Sequence, residues 1–159
     1  MTIKFYMYLI LHMDKLKTCI NFFLFTVIFC SSLEAANLSL GTGALGNVTT
    51  GDYNTAIGLN ALGNLTTGTN NVAVGEGALG QITSSSQNTA VGFLSLYDAT
   101  TGESNTAVGN QALNYTTTGS DNTAVGSHSL RRNTTGSDNT AVGRSALYEN
   151  TTGEDNTAM

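Results

Sequence analysis

From residue 37 onward, apolar and polar positions recur with a fixed period. Asn37, Asn54, Asn71, Asn88, Asn105, Asn122, Asn139 and Asn156 stand 17 apart, which gives seven complete units and the start of an eighth. The unit reads approximately N-T-A-V-G-x-x-A-L-x-x-x-T-T-G-x-x. Its fourth position is always aliphatic (Leu40, Ile57, Val74, Val91, Val108, Val125, Val142), and its eighth is only Ala or Ser. Glycine holds the fifth in every full unit (Gly41, Gly58, Gly75, Gly92, Gly109, Gly126, Gly143). Leucine holds the ninth (Leu45, Leu62, Leu79, Leu96, Leu113, Leu130, Leu147). The fifteenth is glycine except at Ser85.

Each unit therefore has two short apolar pieces separated by glycine-centred turns, and neither piece is long enough for an ordinary helix. The pattern predicts an all-β fold, a parallel β-solenoid with one 17-residue coil per unit. A lone coil cannot bury its aliphatic side chains. Stacking places equivalent positions about 4.8 Å apart and turns them into continuous ladders. Internal ladders of Val/Ile and of Leu are expected, in a stack about 34 Å long. The glycines suit turns with positive φ or close backbone approach. The first-position asparagine either ladders its amide up the stack or occupies a left-handed corner. A helical turn at the A-L piece, as in horseshoe repeats, is the alternative. Stack ends need caps, and the sequence stops inside the strand motif at Met159, so a longer repeat protein is expected.

Residues 1–36 have a different composition. They hold every lysine (Lys4, Lys15, Lys17), both cysteines (Cys19, Cys30), five of the six phenylalanines and no glycine. Met13 begins a basic stretch, followed by the apolar CINFFLFTVIFC and then the small residues before Asn37. Those are the three parts of a secretory signal. Twelve helical residues span about 18 Å, too short for a bilayer core. A signal-peptide helix over 1–36, with translation starting at Met13 and cleavage after Ala35 or Ala36, is expected. Leu33 or Glu34 then occupies the third place back, so the cleavage pattern fits only approximately, and bulky Phe29 disfavours a lipoprotein site at Cys30.

The N-T-A-V-G runs at Asn88 to Gly92, Asn105 to Gly109, Asn122 to Gly126 and Asn139 to Gly143, each followed by A-L or S-L and then T-T-G, resemble the YadA-like, haemagglutinin-type head repeats of trimeric autotransporter adhesins. They are also similar to the N-T-A-V-G arrays of tail-fibre-like proteins. The resemblance covers residues 37–159. It implies a left-handed parallel β-roll, a homotrimer, and binding to an extracellular protein or glycan surface. The adhesin repeat is usually shorter, closer to N-S-V-A-I-G, so a longer loop per coil is expected here. Neither a coiled-coil stalk nor an anchor barrel is present in this sequence.

Charge and composition narrow the function. Three arginines (Arg131, Arg132, Arg144) against nine acids leave residues 37–159 at −6, with no lysine or cysteine. That excludes the basic stripe of a nucleic-acid binder and any cysteine-metal or disulfide scaffold. Enzyme chemistry needs convergent acid, base, nucleophile or metal ligands. The lone His128 at a variable position does not supply them, so no catalytic residue, metal or cofactor is expected. Asp121, Asp138 and Asp155 recur at the seventeenth position and read as solvated turn residues, because the calcium-binding solenoid pattern is missing. Paired threonines such as Thr117 and Thr118 offer a ladder for sugars or ice, although only one of each pair can join a given face. Arg131, Arg132 and Arg144 with Tyr97, Tyr115 and Tyr148 form either a patch for an anionic partner or scattered surface charge. Asn47, Asn64, Asn133 and Asn150 begin N-x-T sequons, which matter in a eukaryotic secretory pathway. The expected function is an exported, non-enzymatic adhesin head segment at the cell surface, without membrane insertion of the repeats. A virion-type fibre shaft is the structural alternative, and a glycan- or ice-binding solenoid a third.

Overall fold

The computed structural model describes residues 36–159. The expected signal-peptide helix, the Met13 start and Ala35 lie outside the described residues, and Ala36 is the first within them. Eight short strands follow one another: β1 (Leu38–Leu40), β2 (Thr55–Ile57), β3 (Val72–Val74), β4 (Thr89–Val91), β5 (Thr106–Val108), β6 (Thr123–Val125), β7 (Thr140–Val142) and β8 (Thr157–Ala158). They form one parallel sheet in sequence order. Each residue pairs with its equivalent 17 positions on, as Ala90 with Ala107 and Val91 with Val108. The chain is thus a β-solenoid of seven 17-residue coils, as the period predicts.

The ladders are distributed differently from the expectation. The leucines are internal, with Leu62, Leu79, Leu96, Leu113 and Leu130 fully buried. The fourth-position aliphatics are not. Within β2 to β7 the middle residue points inward: Ala56, Ala73, Ala90, Ala107, Ala124 and Ala141 are fully buried, while the residues on either side are half-buried or exposed. Parity explains the correction. The asparagine at position one is buried inside the coil, and successive side chains of a strand alternate faces. Positions one and three therefore point in, and two and four must point out. The narrow interior takes alanine at position three, where a larger residue has no space beside the leucine column.

A further internal column, which the repeat comparison missed, runs through the variable twelfth position. It reads Val48, Leu65, Ile82, Ala99, Thr116, Asn133 and Asn150 along the stack. Leu65, Ile82 and Ala99 belong to the apolar core, and Thr116 and Asn133 are fully buried. Its chemistry drifts from aliphatic to polar, so comparing units one against another hides it.

The A-L piece is a turn, and no helix occurs among the described residues. The position-eight amide donates to the fifth-position carbonyl, as Ala112 to Gly109 at 3.3 Å. The leucine amide then leaves the coil for its neighbour, as Leu113 to the Ser129 carbonyl at 3.0 Å. All seven leucines sit in the left-handed region, with φ from 46° to 52°. That conformation is costly for a bulky residue, and it stops a right-handed helix from passing through. The horseshoe alternative is thereby overturned.

Candidate functional surfaces

The invariant glycines and asparagines are structural. A Cβ on Gly109 would lie 2.5 Å from the Gly126 carbonyl oxygen of the next coil, at a φ of 140°. From Gly41 to Gly126 the fifth-position backbones stack too closely for a side chain, and at Gly143 the positive φ alone disfavours one. The asparagines form a buried amide ladder. Asn105 Nδ2 donates to the Gly119 carbonyl at 2.9 Å, and its Oδ1 accepts from both the backbone N–H and Nδ2 of Asn122 at 3.0 Å. Of the two roles open to this residue, the structure shows the amide ladder. The left-handed corner belongs instead to the preceding residue, with Asp121 at φ 57° and Asp138 at φ 57°.

Asp121, Asp138 and Asp155 are exposed at that corner. Among the described residues no group of three or more His, Cys, Asp or Glu side chains stands close enough to hold a metal ion. His128 is half-buried rather than free on the surface. Its Nδ1 lies 2.9 Å from Ser127 Oγ and its Nε2 3.1 Å from Gln111 Oε1, so neither ring nitrogen faces an open site.

The arginines and tyrosines do not make one anion patch. The Arg131 guanidinium lies 5.0 Å from the Tyr115 ring centroid and 5.7 Å from that of Tyr148, held by ring contacts that favour a cation. It also donates to the Tyr148 hydroxyl at 2.5 Å. Arg132 pairs with Glu149 at 3.1 Å, and that bond raises the guanidinium pKa. Arg144 is exposed, away from both in the repeat.

Two further surfaces bear on function. The first is the outer face of the sheet, where position-four side chains form an aliphatic column beside the mostly threonine column of position two. Val108, Val125 and Val142 are 37%, 39% and 41% exposed. The second is an open groove of about 790 Å³. Every residue lining it comes from position eleven (Gln81, Asp98, Tyr115, Arg132) or position thirteen (Thr100, Thr117, Thr134, Thr151). These two columns flank the buried twelfth position, so three residues of each coil alternate out, in and out. The threonine hydroxyls donate to the next coil, as Thr100 and Thr117 to the carbonyls of Thr117 and Thr134 at 3.0 Å. The groove's surface is mostly apolar. Partial burial raises the Asp98 carboxyl above the ordinary carboxylate value. The threonine ladder is legible in the sequence, but which threonine of each pair faces outward, and which side chains stand beside it, depends on the fold. No family model, curated protein or solved structure matches this chain.

Proposed function

We propose that the chain is an exported, non-enzymatic head segment of a surface adhesin, acting as one strand of a homotrimeric fibre. The observation that carries this reading is the unpartnered aliphatic column on the sheet's outer face, from Ile57 through Val142. A contiguous exposed apolar strip on a flat, in-register sheet marks an interaction surface. Three copies around a common axis would cover it and leave the other faces of each coil in solvent. The signal-like leader and the sequence resemblance support export and trimerisation. Repetition then supplies the mechanism. Equivalent coils on three chains present many weak contacts, and avidity exceeds single-site affinity by about 10²–10⁴ when several engage together.

Sedimentation of the full chain is expected to give a trimeric mass, and a stable folded monomer at micromolar concentration would overturn the reading. Fusion of residues 1–36 to a reporter separates the adhesin from the fibre shaft, which assembles in the cytosol. Export of the reporter is expected.

A further inference from the structure

The groove between the eleventh and thirteenth positions has chemistry that the trimer does not use, since no strand residue lines it. Its floor is short of hydrogen-bond donors. The backbone amides of Thr100, Thr117 and Thr134 already donate to carbonyls of the next coil at 2.9, 2.9 and 2.8 Å. An extended peptide that added as a strand would need such groups free, so peptide docking by backbone pairing is closed here. A polyanion is disfavoured as well: the one cation in the groove, Arg132, is already paired with Glu149, and Asp98 stands in the same lining.

What the groove does offer is a largely apolar lining, an exposed aromatic ring and a carboxylate. Tyr115 is 40% exposed, with Arg131 over its ring. Asp98 is half-buried, and among the described residues its carboxylate has no hydrogen-bond or ion-pair partner. Partial desolvation without a donor leaves it with unused acceptor capacity, and charge-assisted bonds are the strong ones. A pyranose ring is the complement of such a surface. Its C–H face suits the negative face of an aromatic ring, and its rim of hydroxyls donates to a carboxylate. From Thr100 to Thr151 the groove runs three coil steps, about 14 Å, enough for more than one ring. The volume falls within the range of ligand sites, which combine apolar walls with a few placed polar groups.

We propose that this groove binds a neutral oligosaccharide, with Tyr115 as the stacking face and Asp98 as the acceptor for ring hydroxyls. The site deepens the adhesin reading by naming a ligand class and rests on it for a biological role, although the binding itself does not require the trimer. The test is titration of the full chain with chitotriose, mannotriose and N-acetyllactosamine, alongside sialylated and sulfated glycans, by calorimetry and on an array. At least one neutral oligosaccharide is expected to bind, with affinity falling tenfold or more in both Tyr115→Ala and Asp98→Asn and unchanged in Arg144→Gln, an exposed residue outside the groove. Asp98→Asn is nearly isosteric and breaks no side-chain bond among the described residues, so its loss of binding reads the site rather than the fold. Absence of neutral-glycan binding at millimolar concentration, binding confined to the anionic glycans, or undiminished binding by Asp98→Asn would each overturn the proposal. A trimer that adheres to surfaces but binds no neutral glycan defeats the groove and leaves the adhesin reading standing. A monomer that binds chitotriose through Asp98 does the reverse.

Discussion

At the scale of single residues, the repeat is held by atoms with no room to change. Gly109→Ala would drive a methyl group into the Gly126 carbonyl at positive φ, whereas Gly46→Ala meets only the Gly43 carbonyl oxygen at 3.3 Å with no positive φ. Denaturant unfolding of the two variants is expected to show a large loss for the first and a small one for the second. Asn105→Ala removes a buried donor and an acceptor at once, orphaning the Asn122 backbone N–H and the Gly119 carbonyl. Each group left unpaired costs about 1–3 kcal/mol, and the unfolding midpoint should fall accordingly. Asp98 has the opposite sign. Its folded-state pKa is raised by burial, so it favours folding most below the unfolded value and loses that contribution as pH rises through the folded value. Relative to Asp98→Asn, the wild-type chain is expected to lose stability between acid and neutral pH, as parallel urea titrations would reveal. The glycine and asparagine positions were visible in the sequence, since a residue that no coil replaces reports a geometric constraint. The Asp98 shift was not, because burial of a carboxylate at a variable position depends on its spatial neighbours.

At the scale of the coil, the short strand and the turn divide the work. The strand supplies backbone pairing, and the turn projects the leucine inward at the cost of a left-handed backbone. Leu113→Ala would keep the strained φ and lose the buried side chain, a change of about 2–5 kcal/mol. The twelfth-position column makes a contrary prediction. Thr116 Oγ1 is buried with no hydrogen-bond partner among the described residues, while the same column holds Ile82 two coils away and Leu65 three coils away. Thr116→Val should therefore raise stability by about 1 kcal/mol, measurable as a higher denaturant midpoint. The outward turn of Val108 and its equivalents was decided at this scale. Hydrophobicity alone placed the valines inside, but the buried asparagine fixes the parity of the strand, and alternation then leaves alanine as the inward residue.

At the scale of the whole molecule, strict 17-residue register converts each local choice into a surface that spans several coils. The outer sheet face becomes an aliphatic strip and the eleventh and thirteenth positions become a groove, neither of which exists in one coil. If copies of the chain cover the strip, Val125→Lys should shift the sedimenting species toward monomer, with the circular-dichroism spectrum retained. If solvent covers it, the charge would leave the mass unchanged. The groove lies on residues that this substitution does not touch, so its saccharide affinity should persist in the same variant.

The sequence by itself determined the coil length, the parallel stacking, the inward leucines and the glycine and asparagine positions. All of these follow from an exact period acting on residue types with few conformational alternatives. Tertiary structure alone decided which aliphatic column faces water, how the twelfth position joins the core, and which side chains meet in the groove. Those depend on the parity of a three-residue strand and on contacts between residues 17 apart, which a linear pattern aligns but does not orient.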